Sequence, residues 1–147
     1  MTAAMHVFDN GADLAEGLAE TVAAALSAAV VARGEACIAV SGGSTPKAFF
    51  KALSGKVIDW TKVTVTLVDE RFVTPDSDRS NEKLVKDNLL INAAAAAVFQ
   101  PLYYPAATAE EAAAAASKQT ANVGCPFDVA ILGMGGDGHT ASFFPGG

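Results

Sequence analysis

The sequence predicts an α/β fold in which helices cover both faces of a mainly parallel sheet. Two observations lead to this class. The chain contains short apolar runs rich in β-branched residues, and these runs alternate with longer segments of helical periodicity. This alternation is typical of parallel sheets covered on both faces. Neither a repeat nor a break in composition divides the 147 residues, so we expect a single domain over residues 1–147.

The first third of the chain is expected to contain two strands and two helices. Met5–Phe8 is a short strand candidate. Ala12–Arg33 has leucine or valine at every fourth position over most of its length, which predicts a helix that Gly34 would end. The run "ACIAV" predicts a buried strand that leads into glycines. Thr45 is expected to cap the next helix, which begins with a proline and extends through Leu53.

The rest of the chain continues the alternation. "KVTVTLVDER" is the clearest strand because it is rich in β-branched residues, and "VTPDSDRSN" is a loop. Ser80 is expected to cap a helix that reaches about Ala97, and "VFQPL" follows as a short strand. Thr108 is expected to cap the alanine-rich helix "AEEAAAAASKQTA", and "FDVAILG" predicts the last strand.

Composition and charge exclude several classes of protein. Hydrophobic residues make up 51% and charged residues 18% of the chain, which is typical of a globular protein. The net charge is −6 and Lys and Arg form no basic run, so no nucleic-acid partner is expected. The N-terminus has no signal-peptide pattern, and the most apolar window, Val22–Ala32, is too short to cross a membrane. We therefore expect a cytoplasmic protein.

Three loops carry most of the candidate chemistry, and each follows the carboxyl end of a predicted strand. They are "SGGSTP", "DERF" and "GMGGDGH". In an open parallel sheet, ligands bind in the crevice outside the carboxyl ends of the strands. The three loops are therefore expected to share one pocket although they lie far apart in the sequence.

The loop "SGGSTP" suits a phosphate group. Gly42 and Gly43 allow a tight turn and a close approach of the backbone to a ligand. The helix that follows would point unpaired N–H groups at the pocket, and Ser44 and Thr45 add hydroxyl groups. The spacing is neither that of a Walker A loop nor that of a nucleophile elbow. From these residues alone, a plain strand-to-helix turn remains an equal alternative.

The loop "DERF" places groups of opposite charge side by side. Arg71 could clamp an anion or polarise a carbonyl group. Asp69 could act as a base or orient another group. A solvated charge cluster that ends the strand is the alternative interpretation of this spacing.

The loop "GMGGDGHT" contains the spacing G-x-G-x-x-G, at Gly133, Gly135 and Gly138. A dinucleotide site would also need a helix that opens at the third glycine and an acidic residue about 20 positions later. Neither follows in "HTASFFPGG", so we interpret the match as accidental. The more informative residue is His139, which can take a proton from water near neutral pH, with Asp137 to orient its ring.

Other roles for this loop remain open. A structural histidine is one of them. A metal site built from Asp69, Asp137 and His139 has no recognised ligand spacing, and Cys37 and Cys125 stand in none either. We therefore expect no metal, and we expect Cys37 to be a buried thiol within its strand.

Three segments together resemble the 6-phosphogluconolactonase family. They are "ACIAVSGGSTPKAFFKALS", "WTKVTVTLVDERFVTPDSDRSN" and "FDVAILGMGGDGHTASFFPG", in the order and at the intervals of that family. The resemblance covers essentially the whole chain and implies a Rossmann-like three-layer α/β sandwich. It also implies hydrolysis of 6-phospho-D-glucono-1,5-lactone to 6-phospho-D-gluconate in the oxidative pentose phosphate pathway, without a cofactor.

The resemblance implies a role for each candidate residue. His139 would activate water against the lactone carbonyl, and Asp137 would support it. Arg71 would bind the anionic substrate or the developing oxyanion, and Asn81 would hold its loop. The remaining candidates would bind the substrate or its phosphate, and they are Gly42, Gly43, Ser44, Thr45, Asp69 and Arg79.

Two alternative functions stay open beside hydrolysis of the lactone. Glucosamine-6-phosphate deaminases/isomerases share the fold and resemble this chain at "SGGSTP" and "DGH", but they usually carry Tyr after "DE" and "FNEP" after the histidine. Here Arg71 and "SFFP" occur instead. Family members also continue past "FPG", so the chain resembles the N-terminal part of such an enzyme, with an incomplete sheet. A non-catalytic sugar-phosphate-binding fragment is therefore the other alternative, and a monomer or weak dimer is expected.

Overall fold

The computed structural model describes residues 2–123 and 126–147. Its centre is a four-stranded sheet in which all neighbouring strands are parallel and the spatial order is β3-β2-β1-β4. The strands are β1 (Ala36–Val40), β2 (Val63–Leu67), β3 (Val98–Phe99) and β4 (Val129–Ile131). The α/β class and the parallel sheet that the sequence predicts are confirmed.

The described residues form four α-helices between and before these strands. They are α1 (Gly11–Arg33), α2 (Lys47–Ser54), α3 (Asn81–Asn88) and α4 (Ala109–Thr120). The side chains of Asn10, Ser80 and Thr108 each accept a hydrogen bond from an N–H group in the first turn of α1, α3 and α4, respectively. Gly34 ends α1 in the left-handed conformation, with φ at 81°, as predicted.

The main core lies between one face of the sheet and the helices α1 and α2. The strands contribute Ile38, Val40, Val63, Val65 and Leu67, and the helices contribute Ala19, Val22, Leu26, Phe50 and Leu53. All five residues of β1 are buried, including Cys37 and Ala39, which point to the opposite face. The strand β1 is therefore the centre of the domain.

Helix α1 is long and apolar enough to cross a membrane when only length and composition are considered, which is weak evidence. Its buried residues are Ala15, Ala19, Val22, Leu26 and Ala29, and all of them belong to the core cluster. They lie on one side of the helix, as in a helix that covers a sheet.

The predicted strand at Met5–Phe8 is wrong. These residues form no strand and are exposed. The ring of Phe8 lies instead against Gly17, where its Cε1 atom would be 2.6 Å from an added Cβ. Contact with α1 competes with pairing to the sheet, and the segment leads into the helix.

Two predicted helix boundaries also need correction. The helix expected from Ser80 to Ala97 ends at Asn88, and Asn92–Ala96 forms a separate 3₁₀ helix. The helical path is broken between the two, since Ile91 is extended and Asn92 has a positive φ of 50°. Asn92 Nδ2 donates to the Ser54 hydroxyl at 3.1 Å. In α2, Pro46 rather than Thr45 is the N-cap residue, because the Pro46 carbonyl accepts the first helical hydrogen bond, from Phe50 N–H at 2.8 Å.

The strand order places the candidate loops together. The chain runs outward from β1 to β2 and β3, and then returns to place β4 on the other side of β1. Such a reversal opens a crevice at the carboxyl ends of the two strands that flank it. The loops "SGGSTP" and "GMGGDGH" follow β1 and β4, and "DERF" follows β2, the other neighbour of β1.

Asp128 lies at the opposite end of the sheet. Its carboxylate accepts a hydrogen bond from the backbone N–H of Cys37 at 2.9 Å and pairs with Arg33 at 2.5 Å. These contacts tie the start of β4 to β1 and to the end of α1. Asp128 is therefore a structural residue at the entry to its strand.

Candidate active site

A cavity of about 450 Å³ opens at the carboxyl ends of β1, β2 and β4. The first turns of α1 and α2 complete its walls, with Gly11 and Pro46 among the lining residues. Six of the nine predicted site residues line it, namely Gly42, Gly43, Thr45, Asp69, Arg71 and His139. Ser44, Arg79 and Asp137 are not among the described lining residues, and each stands beside one that is.

The loop after β1 has the geometry of an anion-binding turn. Gly43 has φ at +96°, which favours glycine and turns the chain sharply out of the strand. Helix α2 begins without a side-chain cap hydrogen bond, and the Ser44 carbonyl accepts from Lys47 N–H at 3.3 Å. A helix start without a side-chain cap presents N–H groups to an anion in the cavity.

Asn81 joins the loop after β1 to the loop after β2. It is buried, and its Nδ2 donates to the Asp69 carbonyl at 3.0 Å. Its Oδ1 lies so close to Gly42 that an added Cβ there would be 1.9 Å away. Only a glycine at position 42 allows this contact, which is a packing reason for the first glycine of the turn.

Glu70 fixes the start of α3 against the end of β2. Its Oε1 accepts from the backbone N–H of Asn81 and its Oε2 from that of Glu82, each at 2.8 Å. Its Oε1 also accepts from Arg71 N–H at 2.8 Å, and its Oε2 from the Ser80 hydroxyl at 3.3 Å. The carboxylate therefore caps a helix that begins eleven residues later and sets the position of Asn81.

Arg71 lies at the mouth of the cavity and is largely exposed. Its Nη1 donates to the carbonyl of Arg79 at 2.9 Å, which restrains the guanidinium group. Arg79 thus contacts Arg71 through its backbone carbonyl, and the substrate-binding role that the resemblance implies for it stays a prediction.

Asp137 and His139 form a contact pair in the loop after β4. The His139 Nδ1 atom and the Asp137 Oδ1 atom are 2.5 Å apart, and the His139 backbone N–H donates to the same oxygen at 3.1 Å. A carboxylate only accepts hydrogen bonds, so Nδ1 carries the proton and Nε2 is the basic nitrogen. The Phe144 ring stacks on the imidazole, with centroids 4.8 Å apart.

We expect carbon-13 NMR to find the Asp137 carboxyl titrating below the ordinary carboxyl range. The hydrogen bonds from the His139 ring and backbone favour the ionised form and lower the pKa of Asp137 from 3.8. Because the pKa of the carboxyl is lowered in the folded state, the pairing stabilises the loop fully above pH 3.8. This stabilisation is lost as the pH falls through the lower pKa of the folded protein. In His139→Ala the midpoint is expected to rise, and an unchanged midpoint would count against the pairing.

Two of the glycines in this loop lie in tight surroundings or a turn that suit glycine: Gly135 faces the His139 ring, and Gly138 has a positive φ of 87°. After Gly138 the chain forms turns and a bridge between Thr140 and Phe143, and no helix opens there. Gly135 faces the His139 ring so closely that an added Cβ would lie 2.1 Å from Cε1. The helix that a dinucleotide site needs at the third glycine is thus missing, and the interpretation of G-x-G-x-x-G as accidental stays a prediction.

The three-residue metal site considered from the sequence does not assemble. Within residues 2–123 and 126–147, no group of three His, Cys, Asp or Glu side chains could hold a metal ion. Asp69 is engaged elsewhere, because it accepts a hydrogen bond from the Ser142 hydroxyl at 2.7 Å. Cys37 is buried within β1, as expected, and Cys125 lies outside the described residues.

Some residues that contact the candidate site had no signal in the residue pattern. Glu70 and Ser142 act through contacts with residues distant in sequence, and Phe144 acts through the orientation of its ring. Asn81 was suggested only by the resemblance of "RSN" to a family motif. The spacing of residues along the sequence does not predict such contacts.

The chain is similar to proteins named 6-phosphogluconolactonase. A curated 6-phosphogluconolactonase of Rhizobium meliloti is 65% identical over all 147 residues, which are 63% of its length. The crystal structure of a 6-phosphogluconolactonase from Shewanella baltica is 50% identical with a TM-score of 0.92, over 94% of this chain and 59% of that one. A monomeric glucosamine-6-phosphate deaminase, 16% identical with a TM-score of 0.73 over 90% of this chain and 56% of that one, shares the fold.

The chain therefore spans about three fifths of the length of these relatives. The sequence pattern of the family described as glucosamine-6-phosphate isomerases/6-phosphogluconolactonase matches residues 9–147. With nearly the whole chain matched and the predicted loops gathered at one cavity, the protein belongs to the glucosamine-6-phosphate isomerase/6-phosphogluconolactonase family.

Proposed function

We propose that the protein hydrolyses 6-phospho-D-glucono-1,5-lactone to 6-phospho-D-gluconate, as a cytoplasmic step of the oxidative pentose phosphate pathway. The observation that carries the proposal is the Asp137–His139 pair on a cavity that also contains an anion-binding turn. The substrate has a phosphate for the turn and an ester carbonyl for the histidine. The 65% identical relative named 6-phosphogluconolactonase supports the same reaction.

The first step is attack by water on the lactone carbonyl carbon. The His139 Nε2 atom takes a proton from the water as the oxygen bonds to that carbon. The imidazolium that forms is stabilised by Asp137, which accepts the Nδ1 hydrogen bond. The carbonyl π electrons move to its oxygen, and the tetrahedral intermediate carries one negative charge.

The second step opens the ring. The oxyanion re-forms the carbonyl as the bond between that carbon and the ring oxygen breaks, and the imidazolium returns its proton to the ring oxygen. Arg71, at the mouth of the same cavity, supplies positive charge for the oxyanion or for the substrate. The product acid then ionises, and no cofactor takes part in the balance.

The binding role falls to the loop after β1. Gly42, Gly43 and Thr45 line the cavity beside the start of α2. Phosphate bound there would meet backbone N–H groups and the positive end of the helix dipole. The partner is therefore a small sugar-phosphate lactone, and the monomer or weak dimer suggested by the sequence stays a prediction.

Turnover assays on the intact protein separate this function from deamination. We expect it to accelerate opening of the lactone above the spontaneous rate and to release no ammonia from glucosamine 6-phosphate. The stacking of Phe144 on His139 favours this outcome, because an apolar ring covers the imidazole where deaminases usually carry a glutamate in "FNEP". Ammonia release without lactone hydrolysis would favour the deaminase, and the absence of both activities with retained binding would favour a non-catalytic protein.

A further inference from the structure

The loop that carries His139 has few contacts with the rest of the domain. Its backbone hydrogen bonds are mostly internal, as between Gly135 N–H and the His139 carbonyl at 2.8 Å, and between Thr140 N–H and the Phe143 carbonyl at 3.2 Å. Phe143 is 83% exposed, so apolar burial of this side chain does not anchor the loop. Its position must depend on other contacts.

One side-chain hydrogen bond connects this loop to a different strand end. The Ser142 hydroxyl donates to Asp69 Oδ2 at 2.7 Å, across 73 residues of sequence. This bond is the one that joins residues 133–147 to another part of the fold, when the ladder between β1 and β4 is set aside. The statement covers residues 2–123 and 126–147, which the structure describes. Ala141, just before it, has a positive φ of 51°, which is uncommon for a residue with a Cβ.

Asp69 is itself held firmly on its other side. Asn81 Nδ2 donates to the Asp69 carbonyl at 3.0 Å and approaches Asp69 Oδ1 at 3.4 Å. Asn81 is buried, and its backbone is fixed by Glu70. A continuous set of contacts thus runs from Glu70 through Asn81 and Asp69 to Ser142.

We infer that Asp69 is a positioning residue, which anchors the His139 loop through Ser142. This replaces its assignment to the substrate-binding set. A carboxylate repels a phosphate group, and Asp69 Oδ2 is already occupied by the Ser142 hydroxyl. The contact fixes the loop to the end of β2, which also carries Arg71, so the base and the cationic group keep a constant separation.

Kinetic tests compare variants of Ser142 and Asp69 in the intact protein. These kinetic predictions rest on the proposed function. Ser142→Ala removes the donor and is expected to lower kcat roughly ten- to hundredfold with little change in KM, because the base is misplaced while the phosphate turn is intact. Ser142→Thr keeps a hydroxyl and is expected to recover most of that loss.

The partner residue provides a second comparison. Asp69→Asn keeps an acceptor oxygen for Ser142 and is expected to retain clearly more activity than Asp69→Ala. The double variant Asp69→Ala/Ser142→Ala is expected to be no worse than either single variant, because both remove the same contact. An inactive Asp69→Asn together with a fully active Ser142→Ala would overturn the inference and assign proton transfer to Asp69.

Amide hydrogen exchange tests the contact without any turnover. Exchange at Gly135 and Phe143 is expected to be faster in Ser142→Ala than in the wild type and to be restored in Ser142→Thr. Unchanged exchange in Ser142→Ala would overturn the anchoring role, even in a protein that hydrolyses the lactone. Conversely, faster exchange in a protein inactive on the lactone would support the anchor and refute the proposed function.

Discussion

Replacing His139 by alanine is expected to reduce kcat for the lactone by about 10²–10⁴-fold, which is the usual contribution of a general base. In the Asp137–His139 pair, the imidazole is the group that can accept a proton from water and return it to the ring oxygen of the lactone. The rate has to be followed above the spontaneous opening of the lactone in water, with the wild type measured in the same buffer.

A second variant removes an ambiguity in that result. Alanine also deletes the ring that stacks on Phe144, so a loss of activity could reflect a displaced loop. His139→Gln keeps a polar side chain of similar length without an imidazole, and it is expected to be nearly as inactive as His139→Ala. If either variant kept full activity, the assignment of His139 as the base would be wrong.

Replacing Gly135 by alanine is expected to lower kcat roughly ten- to hundredfold, which is the typical cost of a small misplacement of a catalytic group. The added methyl group would lie 2.1 Å from Cε1 and 2.2 Å from Nδ1 of His139, so the imidazole has to move. Its hydrogen bond to Asp137 would be lost or bent. Steady-state kinetics of the intact protein measure this effect.

The neighbouring glycine is a matched control. An added Cβ at Gly136 meets nothing within 4 Å, and its φ lies outside the left-handed region that side chains avoid. Gly136→Ala is therefore expected to keep nearly wild-type activity, and the thermal midpoints of both variants are expected to stay close to that of the wild type. Equal activities for Gly135→Ala and Gly136→Ala would show that the ring is not positioned by this close contact.

The general position of the site follows from sequence because it depends on local patterns. β-branched runs such as "KVTVTL" mark strands, and parallel strands bring the loops at their carboxyl ends to one edge. Gly42, Asp69 and His139 are therefore expected at one edge of the sheet, whatever their side-chain contacts, and all three line the same cavity. Helix caps such as Ser80 and Thr108 are also confirmed, since capping involves only neighbouring residues.

What the sequence misses depends on tertiary contacts. Glu70 caps α3 from another element, and Ser142 contacts Asp69 across 73 residues. The alanine tract after Asn92 has strong helix propensity, but Ile91 is extended and Asn92 has a positive φ, so the chain forms no continuous helix there. Phe8 packs on α1 where its apolar run suggested a strand. Each of these features depends on a contact or a backbone conformation that the local residue pattern does not specify.

We propose that binding and chemistry lie on different loops of one cavity, with phosphate at the loop after β1 and proton transfer at His139. The most direct test is the dissociation constant of 6-phosphogluconate, measured by calorimetry on wild type and His139→Ala. We expect the variant to bind the product within about threefold of the wild-type affinity, a change of less than about 1 kcal/mol, while its turnover is lost. A variant that fails to bind the product but hydrolyses the lactone at saturating concentration would contradict this division of roles.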